Sequence, residues 1–218
     1  MSKGDSDEKL TVGKTKRGTR PIDSKRFKSQ IEFILEIDKL KKILRRTPLL
    51  DRSRQENSAE HSWHIALIVL VLAEYADEDH LDLLQVIKLL LAHDLVEIDA
   101  GDTYCYDESG VQDQNKREKK AADRIFNILP EDQAKSFRAL WDEYEDRSTP
   151  ESRFANALDR FQPLLHNYFT EGHSWRQHRI QKKQVLSRMQ PVDEGSAFLW
   201  DYVVTLIDDA VEKGLLKK

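Results

Sequence analysis

The chain has 218 residues, of which 34% are charged and 39% hydrophobic, with a formal net charge of −4 and one cysteine. That length suits a single core, the near-balanced charge argues against nucleic acid as a partner, and a lone Cys105 cannot close a disulfide within the chain. Only 8 glycines and 6 prolines leave too few turn residues for a barrel, sandwich or Rossmann design, so the predicted fold class is all-α.

Residues 1–26 carry eight Lys/Arg against four acids, with Met1, Leu10, Val12 and Ile22 as their sizeable apolar side chains. Such a stretch cannot offset its ordering entropy, which predicts a disordered extension with no assigned function, followed by one domain over 27–218. From Phe27, apolar residues Ile31, Ile34, Leu35, Leu40, Ile43 and Leu44 recur at helical spacing until Pro48 stops them. A second helix is predicted from Asn57 or Ser58 to about Ala76, with Glu60 in a capping-box position. It is apolar almost all round, and its run Ile65 to Ala73 falls far short of the ~20 residues that span a bilayer. That pattern predicts a helix buried in the middle of a bundle. With no signal-peptide layout at the N-terminus, a cytoplasmic protein without a membrane partner is expected.

A third helix, from Asp79 or Leu81, carries Leu84, Ile87, Leu90 and Leu91 towards Asp94 and Glu97, and Gly101 ends it. Asp102 to about Gln112 reads as a loop, followed by a helix through Ala121, Ile125 and Ile128 that Pro130 closes, and another from Asp132 to about Glu145. Thr149 caps the next, with Pro150 at its first position and Phe154, Ala157, Leu158 and Phe161 on its buried side. After Gly172 comes a strongly basic helix, then Pro191, then a last helix from about Ser196 to Lys213.

Polar residues stand where this pattern wants apolar ones. His93 and Asp94 follow Leu89, Leu90, Leu91 and Ala92 directly, and burying an ionised Asp without partners is very costly. His61 opens the preceding buried helix, and Asp159 sits among Ala157, Leu158 and Phe161. Two imidazoles and two carboxylates at the inner ends of three helices neutralise one another around a cation or in a tight hydrogen-bond network, and a divalent metal is the economical solution. Glu97 lies one turn beyond the doublet on the same face, and Gly101 allows the backbone to bring Asp102 back over it; a surface charge and a loop cap are the plainer readings of the two. His64 is three residues from His61, with a packed histidine as its commoner fate. His80, His166, His173 and His178 show no partner pattern, and the run Arg176, Arg179, Lys182, Lys183 and Arg188 reads as a solvated helix face, with a phosphate-attracting rim or a nucleic-acid patch as the alternative.

These residues resemble the HD-domain metal-dependent phosphohydrolases, in particular the branch of bacterial 5'-deoxynucleotidases and HD-domain-containing protein 2. The segment from Glu56 to Trp63 resembles that branch's first ligand motif, Leu91 to Asp102 its second, and Ala157-Leu158-Asp159-Arg160 its last. The resemblance implies an all-α HD-domain helical bundle in which His61, His93, Asp94 and Asp159 bind one divalent cation, of the Mn, Co, Ni, Fe or Zn kind. It implies Glu97 and Asp102 as catalytic residues and Arg46 as the holder of a substrate phosphate. Thr47 follows that arginine where the nucleotidase branch has a tryptophan near the sugar. The function so implied is metal-dependent hydrolysis of (deoxy)nucleoside 5'-monophosphates by a homodimer. Another phosphate ester (a cyclic nucleotide, a triphosphate or a nonnucleotide phosphate) is the alternative within enzymes. From another class, the alternative is a noncatalytic metal-binding scaffold, against which Glu97 and Asp102 argue. Di-iron oxygenases of this fold need further histidines between Glu97 and Arg160, and the sequence has none there.

Overall fold

The computed structural model describes residues 24–107, 110 and 112–218; the expectation for residues 1–23 lies outside them. Ser24 caps α1 (Lys25–Ile37) by accepting from the Phe27 N–H. A 3-10 turn, Asp38–Lys42, then leads to β1 (Leu44–Pro48), which pairs antiparallel with β2 (Gln55–Asn57). The helix expected to run up to Pro48 therefore stops early. Proline disfavours the α region at the residue before it, here Thr47, and the hairpin gives the backbone other partners.

Asn57 caps α2 (Ser58–Leu72) through the predicted capping box: its side chain accepts from the Glu60 N–H and the Glu60 carboxylate accepts from the Asn57 N–H. A 3-10 turn, Ala73–Tyr75, follows. The expectation that this helix is buried all round is corrected. Trp63, Leu67, Leu70 and Val71 are between 43% and 68% exposed. Their spacing places them in one stripe, which no other element among the described residues covers.

Asp82 caps α3 (Leu83–Ala92), after which the helix tightens into a 3-10 turn, His93–Val96, and resumes as α4 (Glu97–Ala100). Gly101 closes α4 with φ 75°, a conformation that strains any residue with a Cβ. Then come α5 (Gln114–Phe126), α6 (Glu131–Asp146), α7 (Pro150–Phe169), α8 (His173–His178), α9 (Lys182–Gly195) and α10 (Ala197–Glu212). Thr149 caps α7 with Pro150 in its first turn, as predicted. The basic stretch divides into α8 and α9 at Arg179, whose backbone is left-handed at φ 56°. Pro191 lies inside α9 instead of ending it.

Two apolar clusters hold these elements together. The larger is built on α7, with Phe154, Leu158, Phe161 and Leu164 against Ile65, Leu89, Val185 and Ile207. The smaller joins Phe33 and Leu40 to Ile125, Phe126 and Trp141. The 3-10 turn after α3 lies between them, because Leu89 and Leu90 enter the first cluster while Leu95 and Val96 enter the second. His93 and Asp94 are thereby fixed at the seam, buried at 5% and 7% exposure. Among the described residues, no helix is long and apolar enough to cross a membrane.

Candidate metal centre

His61, on the first turn of α2, His93 and Asp94 each bring one ligand atom within 4.8 Å of the others. Asp159, from the middle of α7, adds Oδ1 at 2.8 Å from His61 Nε2 and 3.6 Å from His93 Nε2. The four predicted ligands are thus brought together, all of them buried.

Hydrogen bonding fixes which nitrogens face the centre. His93 Nδ1 donates to the Leu90 carbonyl at 2.8 Å, so its Nε2 presents a lone pair, 2.9 Å from Asp94 Oδ1 and with no hydrogen-bond partner. At His61 the argument runs through three residues. His166 Nδ1 donates to the Pro48 carbonyl at 3.0 Å. Burial lowers the pKa of His166 and keeps the ring neutral, so its Nε2 accepts from the Gln162 amide at 3.0 Å. That amide also donates to Glu56 Oε1 at 2.8 Å, which turns Gln162 Oε1 towards His61 Nδ1, at 3.1 Å. His61 then carries its proton on Nδ1 and aims a bare Nε2 at Asp159.

Two imidazole lone pairs facing two carboxylates repel one another unless a cation lies between them, and a nitrogen–oxygen set of this kind suits a first-row divalent metal. Without a cation between them, the same groups share protons instead. Burial and Arg45 lower the His61 pKa to about 4. Burial would lower His93 too, but Asp94 and Asp159 outweigh it and raise its pKa well above the usual value. Burial would raise Asp159, but Arg160, His61 and His93 hold it far down. Its other oxygen accepts from the Tyr144 hydroxyl at 2.7 Å and from Arg160. Residues that could hold a metal therefore stand on all sides of one point.

Glu97 and Asp102 line the same cleft as His93, Asp94 and Asp159. Glu97 is 8% exposed and accepts from Ser58 Oγ at 2.5 Å; burial, then the Asp94 charge, raises its pKa well above the carboxylate range. Burial also raises Asp102, with Asp94 adding to the effect and Arg45 opposing it. The cleft opens into a wider cavity of about 640 Å³, open solvent at its mouth included. Arg46, Thr47, Tyr104, Tyr106, Trp175 and Asn167 are among its walls. Thr47 is buried at 8% exposure, while Arg46 is exposed.

Sequence reasoning passed over Arg45, although the strand turns it, and not Arg46, onto the acids. Its Nη1 donates to Asp94 Oδ2 at 3.1 Å and lies 4.0 Å from Asp102 Oδ1. It also passed over Tyr144, Gln162 and Glu56. The reading of His166 as partnerless is corrected by its contacts with Gln162 and Pro48, and His64 joins the same group, its Nδ1 3.3 Å from the Gln162 amide. A readable signal existed for Gln162 and His166: they lie three and seven residues after Asp159, on one helical face.

An all-α bundle that gathers a histidine, a His-Asp doublet and a distant Asp from three helices defines a metal-binding class of its own. The family model for the HD domain matches residues 37–200, which contain the four ligands; the chain belongs to the HD-domain family. It is 30% identical over 140 residues to the human 5'-deoxynucleotidase HDDC2, covering 63% of this chain and 66% of that one. It is 29% identical over 122 residues to the 5'-deoxynucleotidase ECA3034 of Pectobacterium atrosepticum, covering 53% and 61%. The matches thus span slightly less than two thirds of these relatives' lengths. Among solved structures, a predicted metal-dependent phosphohydrolase from Magnetospirillum magnetotacticum superposes with a TM-score of 0.83 at 51% identity, over 88% of this chain and 99% of that one.

Proposed function

We propose that this protein hydrolyses (deoxy)nucleoside 5'-monophosphates to nucleoside and inorganic phosphate, using one divalent cation held by His61, His93, Asp94 and Asp159. One observation carries the reading: two imidazole nitrogens, of which His93 Nε2 has no hydrogen-bond partner, meet two carboxylates beside the buried Glu97 and the half-buried Asp102, next to an arginine- and aromatic-lined cavity. The printed names of the relatives support the substrate class. Mn, Co, Ni, Fe and Zn all suit the donor set. When bound, such a cation polarises a phosphoryl oxygen and lowers the pKa of water.

The chain's own residues do the rest. Water oxygen bonds to phosphorus, the bond from phosphorus to the 5'-oxygen breaks, the water loses a proton and the departing oxygen gains one. Glu97, in which burial favours the protonated form most strongly, donates to the departing oxygen. Asp102, opposed in that shift by Arg45, accepts from the water. Arg46 at the mouth holds phosphate oxygens, Thr47 stands beside the sugar, and Tyr104, Tyr106 and Trp175 offer aromatic faces to the base. A cytoplasmic location fits this proposed substrate.

Metal-stripped protein refilled with single metals, and assayed for phosphate release, tests this. Ribo- and deoxyribonucleoside 5'-monophosphates are expected to react faster than cyclic nucleotides, triphosphates or a nonnucleotide phosphate. Faster release from one of those classes overturns the substrate, and no release from any ester by fully metallated protein leaves a noncatalytic metal-binding scaffold.

The uncovered stripe of Trp63, Leu67, Leu70 and Val71 on α2 is the proposed seat of a second copy, because a two-fold contact buries the same apolar stripe on both subunits. Light scattering is expected to give twice the 25.5 kDa chain mass, and Leu70→Asp to return the single mass; a wild-type monomer at micromolar concentration rejects the contact.

A further inference from the structure

The basic stretch after Gly172 does not form one solvated face. Arg176 approaches Glu171 at 3.9 Å and Lys182 pairs with Asp208 at 2.6 Å, both near the surface. Arg188 differs. It shares one face of α9 with Val185, Met189 and Val192, whose spacing sets a buried stripe and all of which are 4% exposed or less. The stripe carries the guanidinium inward, so that Arg188 is half-buried and lines both the metal-ligand cleft and the wider cavity beside it.

The other arginines of this region each have a carboxylate partner or water, although the Nε of Arg45 and of Arg160 is buried without a hydrogen bond. Arg45 bonds to Asp94, Arg160 bonds to Asp159, and Arg46 is exposed to water. Among the described residues Arg188 makes no hydrogen bond and no ion pair. The nearby carboxylate, Asp159, is already engaged by Tyr144 and Arg160. Burial, and then the like charge of Arg160, lowers the Arg188 pKa, the reverse of what a partnered guanidinium shows. A cation held in this way destabilises the protein unless an anion meets it.

We propose that Arg188 is a substrate-binding residue, the inner guanidinium that receives the phosphate oxygens of the ester opposite the four metal ligands. This rests on the phosphomonoesterase reading and adds to it a residue to which no role has been given. The ligand chemistry is that of a tetrahedral oxyanion, for which the planar guanidinium fork is suited and a lysine less so. Placement on a packed helix, in contrast to Arg46 on an exposed strand, gives the anion a rigid counter-charge.

The prediction has two halves of opposite sign. Metal-loaded Arg188→Met is expected to bind inorganic phosphate ~10–100-fold more weakly by calorimetry, the loss of one charge-assisted hydrogen-bonding group. The KM for its best nucleotide should rise similarly while metal content stays unchanged. In the absence of phosphate the same variant is expected to melt higher than wild type, by a few degrees, because a desolvated and repelled charge has been removed. Arg188→Lys should recover part of the phosphate affinity. Unchanged phosphate affinity in both variants overturns the proposal, and so does a lowered melting temperature with unchanged KM, the mark of a purely structural arginine. If wild type releases no phosphate from any ester yet its phosphate affinity still depends on Arg188, the anion site stands and the enzymatic reading falls.

Discussion

Asp94→Ala is expected to abolish both metal binding and phosphate release. The carboxylate has two duties that no neighbour can take over. Its Oδ1 lies 2.9 Å from the bare Nε2 of His93, and its Oδ2 accepts from Arg45 at 3.1 Å. Removing it leaves a cationic guanidinium facing a ligand set that has lost half its negative charge, and a divalent ion then lacks both a donor and its neutralisation. Metal affinity should fall by more than the ~10–100-fold typical of residues that merely support a ligand. Folding suffers as well. Taking one partner out of a buried ion pair costs up to about 3–5 kcal/mol when the other charge is left unpaired, a loss that Glu56 and Asp102, 3.8 and 4.0 Å from Arg45, reduce here. Asp94→Asn keeps the shape and the hydrogen bond from Arg45, and serves if the alanine variant does not fold. Elemental analysis of folded protein decides the matter: either variant with full metal content and wild-type turnover removes Asp94 from the centre.

Sequence signals were readable where the physics is local or where a residue breaks a pattern. Asn57 with Glu60, Thr149 with Pro150, and Ser196 each set a helix start through bonds spanning three residues, and each start falls where the caps place it. The four candidate ligands were visible for the opposite reason: ionisable groups occupy apolar positions, which a shared cation or a tight hydrogen-bond network makes tolerable. What was not readable depends on distant neighbours. Gln162 acquires its role from Glu56 and His61, each about a hundred residues away, and its place on the helical face of Asp159 is the one local hint. Arg45 and Arg46 are adjacent and chemically identical; the hairpin with β2 decides which one meets the acids. The apolar composition of α2 was read correctly, but composition does not say what covers it, and among the described residues nothing covers Trp63, Leu67, Leu70 and Val71. Arg188 was misread through its charge, although its spacing with Val185, Met189 and Val192 already pointed inward.

Glu97→Gln is expected to keep the metal and slow nucleotide hydrolysis by roughly 10²- to 10⁴-fold, the usual contribution of a positioned acid or base. Glutamine is the informative replacement because the hydroxyl of Ser58, which donates to Glu97 Oε2 at 2.5 Å, can donate equally to an amide oxygen. The local structure is therefore kept while the transferable proton is lost. Stability supplies an independent check. Burial raises the Glu97 pKa in the folded protein, so the proton is held more tightly folded than unfolded. The stability this gives is complete below the unfolded value and is lost as pH rises through the raised folded one. Glutamine never ionises and escapes that loss, so metal-free Glu97→Gln should gain in melting temperature over wild type as pH climbs above the ordinary carboxylate range. The direction of proton transfer can be separated from its mere presence by changing the leaving group. A nitrophenolate departs without a proton, whereas a 5'-alkoxide needs one, so the variant should retain far more of its activity on p-nitrophenyl phosphate than on a nucleotide. Equal losses on both esters would move Glu97 to the water side of the reaction and give the acid's part to Asp102. No loss on either would leave the carboxyl group a buried partner of Ser58 with no share in catalysis.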